Sequence, residues 1–310
     1  MNIKSFSKVI IGALSVALLY TGCNKDDVPS KKSDRLASLI SEATELAANA
    51  TEGPDPGVYP VGSIGQLQAM IDSAKTLEQK SQTQYGIDLA EILLQKAITQ
   101  FKGSIQVEKQ LYFDGTGYLD GGIVTPYIVP NFTLQAWVYP TEWKNAMYVI
   151  STEGSGNGYK LQVPNGKLTF QINGTANQLA APDANKISLN EWAHIAASYD
   201  GAVMKIYVNG VMVAQKNYAV ALVGNTQNFR IGEGSAFAGR TFKGRIKGVG
   251  VWSKALSDTE VAAQMQNAPT GTESGLIAYW PFNLSSGTTI WDRTGSHALN
   301  IINVQYVDPL

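Results

Sequence analysis

Two hydrophobic periods divide this chain. From residue 107 onward apolar and polar positions alternate in short runs, the pattern of strands with one buried face. In 132–139, Phe132, Leu134, Ala136 and Val138 alternate with Thr133, Gln135, Trp137 and Tyr139. Runs at 192–199, 203–208 and 211–215 are separated by Asp200-Gly201 and Asn209-Gly210, dipeptides that supply the positive φ angles of tight hairpin turns. Runs at 159–163 and 168–172 are joined through Asn165-Gly166. Such meanders need a second sheet over their apolar face, so the pattern predicts an antiparallel two-sheet sandwich over 107–310.

Upstream the period is helical. Leu36, Leu39, Ile40, Ala43, Leu46, Ala47 and Ala50 form one stripe. Leu67, Met70, Ile71, Ala74 and Leu77 form a second, and Ile87, Ala90, Leu94, Ala97 and Phe101 a third. Ser63 with Gln66, Ser81 with Gln84, and later Ser257 with Glu260 have the spacing of capping boxes. Gly53, Pro54, Pro56, Gly57 and Pro60 make 52–62 a loop. The expected fold class is therefore multidomain: a small all-α three-helix bundle at 33–105, then an all-β sandwich, with the junction near 103–108.

The first thirty residues follow neither period. Lys4 and Lys8 precede an apolar run at 9–20, which is shorter than the ~20 residues a bilayer requires but suits the core of a signal peptide. Cys23 follows Thr21-Gly22 directly and is the single cysteine of the chain, which excludes an intrachain disulfide. LYTGC resembles a bacterial lipoprotein signal, with Tyr20 bulkier than the usual pattern. The resemblance implies a signal at 1–22, lipidation of Cys23, and a tether at 23–32. Lys25-Asp26-Asp27 is similar to the export signal of Bacteroidota lipoproteins, which implies an outer-membrane protein exposed at the cell surface, the membrane being one of its partners.

Composition narrows the chemistry. The net charge is −1 without a long basic run, so nothing points to nucleic acid. The two histidines, His194 and His297, leave little for a histidine-rich metal site.

Several motifs carry a family resemblance. Trp192-Ala193-His194-Ile195-Ala196 leading to Ser198-Tyr199-Asp200-Gly201, Phe113-Asp114-Gly115, Arg230-Ile231-Gly232 and the run 242–252 resemble the laminin-G-like jelly rolls of the concanavalin A-like lectin/glucanase group. The segment 275–282 with its sequel resembles a stretch at the edges of these domains, which implies further strands with Trp280 and Phe282 in the core. The helical region is similar to FIVAR-like repeats and to a helical domain preceding laminin-G-like modules in Bacteroidota lipoproteins; a spacer role is expected of it. Relatives often hold Ca2+, so Ca2+ is the one cofactor the resemblance suggests. Their acidic I-D-E-V-R motif reads Ile246-Lys247-Gly248-Val249-Gly250-Val251 here, so no metal ligand is assigned.

Glucanases of this fold project two carboxylates from alternate strand positions. Asp258 and Glu260 have that spacing but lie at a helix start, and Glu142, Glu153, Asp183 and Asp200 read as isolated loop acids. No catalytic residue is assigned, and no enzyme is expected. The leading expectation is a non-catalytic glycan-binding surface lipoprotein. The alternatives are a protein-adhesion module with a cell-surface protein partner and a divergent glycoside hydrolase. Sugar sites combine aromatic faces with amides and charges. The outward positions that meet this description are Trp137, Tyr207, Gln135, Gln171 and Arg230, with Trp143 on a loop rim; Trp192 is expected in the core.

Overall fold

The computed structural model describes residues 33–310 apart from 54, 55, 82, 124, 155 and 284–286. The expected signal, Cys23 and tether lie outside these described residues. The chain divides into two compact units, Met1–Val107 and Glu108–Leu310.

In the first unit, helices α1 (Asp34–Asn49), α2 (Ser63–Lys80) and α3 (Gln84–Lys102) pack their apolar stripes into one core. Leu36, Ile71, Ile87 and Leu94 are fully enclosed there. Tyr59, from the connecting loop, stacks on Phe101 of α3 with ring centroids 4.0 Å apart. Two helix starts differ from the expected capping boxes. Gly62 caps α2 in the left-handed conformation, and the Glu52 carboxylate accepts from the backbone N–H groups of Gly62 and Ile64. That long-range cap satisfies the donors that a local serine would otherwise serve. Thr83 caps α3, its hydroxyl accepting from Gly86 N.

The second unit is a sandwich of two antiparallel sheets. Sheet 1 has the order β10 (Val211–Asn217), β9 (Val203–Val208), β8 (Ala193–Tyr199), β3 (Phe132–Pro140), β12 (Lys243–Trp252), β1 (Gln110–Asp114) and β16 (Gln305–Val307), with β13 (Leu276–Trp280) also paired to β12. Sheet 2 has the order β14 (Thr289–Trp291), β15 (Ala298–Ile302), β2 (Tyr118–Ile123), β11 (Asn228–Ile231), β4 (Tyr148–Ser151), β5 (Tyr159–Gln162), β6 (Thr169–Ile172) and β7 (Gln178–Ala180). The apolar member of each alternating pair meets the other sheet. Phe132, Leu134, Ala136 and Val138 of β3 are enclosed together with Phe170, Phe229 and Trp280.

The meander forms as its turns dictate: Gly201, Asn209 and Gly210 all have positive φ, of 91°, 50° and 78°. Helix α4 (Asp258–Gln266) opens on the expected capping box, with Ser257 and Glu260 satisfying each other's backbone N–H. It packs on the outer face of sheet 1, where Val261 and Leu256 cover Ala196, Tyr207 and Trp252. Among the described residues no helix is long and apolar enough to cross a membrane.

Candidate functional site

The six candidate ligand residues do not converge. Trp137, Gln135 and Tyr207 belong to sheet 1, whereas Gln171 and Arg230 belong to sheet 2, and the two outer faces look in opposite directions. Trp143 lies at neither face. It is half-buried against the core, with its ring so near Gly166 that a Cβ there would sit 3.1 Å from it.

Sheet 1 is largely occupied by its own structure. Tyr207 does point outward, but α4 lies over it and leaves it fully buried. Its hydroxyl donates to Asp258 Oδ1 at 2.9 Å. Burial, with Asp258 adding to it, pushes the phenol up to about 12. Asp258 is held below the usual carboxylate range by its bonds from Lys205 and Tyr207. Tyr207 is thus a docking point for a helix, which the alternation along one strand could not reveal. Gln135 is also buried, its side chain filling the space over Gly250. Trp137 is half-exposed and its ring meets His194 at 5.3 Å. Trp192 is outside the core: it lies half-exposed against Tyr139, with Lys247 Nζ 4.4 Å above its ring. Lys247 and its glycine neighbours offer no side-chain oxygen, so that strand brings no carboxylate to a Ca2+ ion. Among the described residues there is no group of three or more His, Cys, Asp or Glu placed to hold a metal ion.

Sheet 2 carries a continuous polar row. Strand register aligns Thr289, Asn300, Asp120, Arg230, Ser151, Lys160, Gln171 and Gln178 across all eight strands. The row has two halves of different character. On β4 to β6 it is a closed network around Glu153. That carboxylate accepts from Lys160 Nζ at 3.0 Å, Tyr148 OH at 2.9 Å and Gln171 Nε2 at 2.9 Å. Tyr148 OH in turn accepts from Lys160 Nζ and Arg240 Nη1, each at 2.9 Å. Lys160 and Glu153 are almost wholly enclosed, and a buried ion pair of this kind is viable because its remaining hydrogen-bonding capacity is met. Glu153 is therefore no isolated loop acid; its partners lie 5 to 18 residues away in sequence. Gln171 is buried in the same network.

The other half of the row is open. Arg230 Nη1 donates to Glu233 Oε2 at 2.7 Å, its Nε lies 3.7 Å from Asp120 Oδ2 without a hydrogen-bond partner, and its guanidinium stacks 4.4 Å over Tyr118. Asn228 Nδ2 donates to both oxygens of Asp120, at 3.0 and 3.1 Å. Asn300 and Thr289 are exposed beside them. On the edge strand, Ile290 turns into the core and Trp291 turns outward on the same face as Asn300, 61% exposed. Sequence reasoning missed Trp291. The signal was present in the alternation Thr289, Ile290, Trp291, but only the pairing of β14 with β15, β15 with β2 and β2 with β11 puts this ring on one face with Asp120 and Arg230, which lie some 170 and 60 residues upstream.

Each carboxylate of the face already has partners: Asp120 has Asn228, Gly122 N and Arg230; Glu233 has Arg230 and Gly239 N; Glu153 has Lys160. An aromatic plane bordered by amides, a guanidinium and a carboxylate can stack on an apolar ring face and hydrogen-bond to hydroxyls around it.

Residues 113–262 match the family model described as the concanavalin A-like lectin/glucanases superfamily. This stretch, just under half of the chain, holds most of the sandwich. Mouse pentraxin-related protein PTX3 is 27% identical over 154 residues, 45% of this chain and 40% of that protein. Mouse pappalysin-1 is 30% identical over 95 residues, 29% of this chain and 6% of that protein. The chain thus spans well under half the length of these curated relatives. Among solved structures, one described as a "putative carbohydrate binding protein" from Bacteroides ovatus aligns with TM-score 0.57 and 20% identity, covering 66% of this chain and 61% of that chain. That likeness is one of fold.

Proposed function

We propose that this protein is a non-catalytic, surface-anchored lipoprotein whose sandwich binds glycan on the outer face of sheet 2. One observation carries the reading: Trp291, 61% exposed, shares a face with the polar row of Asn300, Asp120 and Arg230. A glycan stacked on Trp291 and laid across the strands would reach amide, carboxylate and guanidinium groups one to three strand spacings away, roughly 5 to 14 Å. The fold shared with a protein described as carbohydrate binding puts glycans first among ligands to test. The non-catalytic assignment is supported by the engagement of Asp120, Glu153 and Glu233, because a glycosidase needs carboxylates free to attack or to transfer a proton. Lipid anchoring through Cys23 rests on its position directly after the apolar run, and the helical unit is then a spacer between membrane and sandwich.

The test is a glycan-array screen of the full chain, followed by calorimetry of each bound glycan with Trp291→Ala. Loss of one ring that anchors the ligand costs on the order of 2 kcal/mol, about thirtyfold in affinity. Circular dichroism unchanged from wild type would confirm folding. Equal binding by the variant would remove the site from this face, and release of product sugars would overturn the non-catalytic assignment.

A further inference from the structure

The geometry points to recognition of a glycan chain end rather than the interior of a polysaccharide, an inference that rests on the glycan reading above. The polar row begins at β14, the outermost strand of sheet 2, which among the described residues has no further neighbour there. It is open through β15, β2 and β11, then closes. The segment 233–241 crosses the outer face of β4 and is fastened to it. Ser235 N donates to Ser151 Oγ at 3.2 Å and Ser235 Oγ to Ser151 O at 2.7 Å. Arg240 reaches Tyr148 OH, and Gly234 lies so close on the Tyr148 ring that an added Cβ would be 3.3 Å from it. Tyr148 and Ser151, which face outward from β4, are consequently buried.

This segment also holds itself rigid. Glu233 is clamped between Arg230 Nη1 at 2.7 Å and Gly239 N at 3.1 Å, and the Arg240 guanidinium stacks 4.1 Å over Phe237. A wall tied at both its carboxylate and its arginine cannot swing aside without breaking several charge-assisted bonds. The open part of the row therefore spans three strand spacings, about 14 Å, with one free end and one blind end. A chain laid across the strands from the β14 edge over Trp291 must stop at Arg230 and Glu233, so the last sugar sits against those two side chains. A polysaccharide running through the site would collide with the segment over β4.

The experiment is a binding titration of the full chain with polymers of two lengths each of laminarin, galactan, arabinan and hyaluronan, alongside the trisaccharide of each. Stoichiometry is counted per polymer chain. The expected result is one protein per chain at both lengths, with the trisaccharide competing at the same concentration of chains and Trp291→Ala weakening both together. If the number of proteins per chain grows with length while Trp291→Ala still weakens binding, chain-end recognition is overturned and the glycan reading stands. Binding to none of the polymers or trisaccharides would overturn the glycan reading and this inference with it.

Discussion

His194 shows how one buried side chain sets a pH dependence. It faces outward on β8 yet is 1% exposed, and its Nδ1 has no hydrogen-bond partner. Burial lowers its pKa from 6.5 to about 4, so the folded protein keeps the ring neutral. The unfolded chain takes up a proton below about pH 6.5 whereas the folded one does not until about pH 4, so stability falls as pH drops through that window and is intact above it. Between pH 7 and pH 5 this residue alone should cost about 2 kcal/mol. Urea unfolding at both values, on wild type and His194→Gln, should show a steeper acid loss in the wild type by about that amount. Parallel slopes would mean that His194 is protonated in the fold. The same scale explains why Tyr207 and Gln171 read as ligand residues. Alternation gives the direction of a side chain from its strand, and burial by a later helix or a loop carboxylate is decided elsewhere in the chain.

At the scale of elements, the contrast between helix starts is instructive. The Ser257–Glu260 box formed as the local sequence implies, while α2 took its cap from Glu52, whose carboxyl is held low by the Gly62 and Ile64 N–H groups. Helix α4 matters to sheet 1 because it seals Tyr207 and Trp252. Ser257→Ala should therefore lower stability by about 1 kcal/mol, read as a lower urea midpoint with an unchanged slope. No change would show that packing of Val261 and Leu256 holds the helix without its cap. The strands follow a simpler rule. Their turns need positive φ at Gly201, Asn209 and Gly210, and Asp-Gly and Asn-Gly provide it at low cost.

For the whole molecule, the proposed glycan-binding face would gain from being held away from a membrane, and the proposed anchor would supply the other end. A lipidated Cys23 buries acyl chains at about 0.8 kcal/mol per methylene, so two or more chains give a stable attachment. Cys23→Ala should abolish labelling by a fatty-acid analogue and move the protein from the membrane fraction to the soluble one. Undiminished labelling would place the lipid elsewhere or refute the anchor.

The sequence by itself determined the elements of this protein. Helical and two-residue periods, turn dipeptides and the Ser257 cap are local, and each depends on residues within a few positions of one another. It also determined much of the core, since Phe132, Leu134, Ala136 and Val138 are enclosed as their alternation requires. Only the tertiary structure decided the candidate site. Trp291 shares a face with Asp120 and Arg230 through strand order, Glu153 meets Lys160 and Gln171 from the loop after β4, and the segment 233–241 covers Tyr148 and Ser151 of β4. These contacts join residues far apart in the chain, and no local period encodes which strands become neighbours.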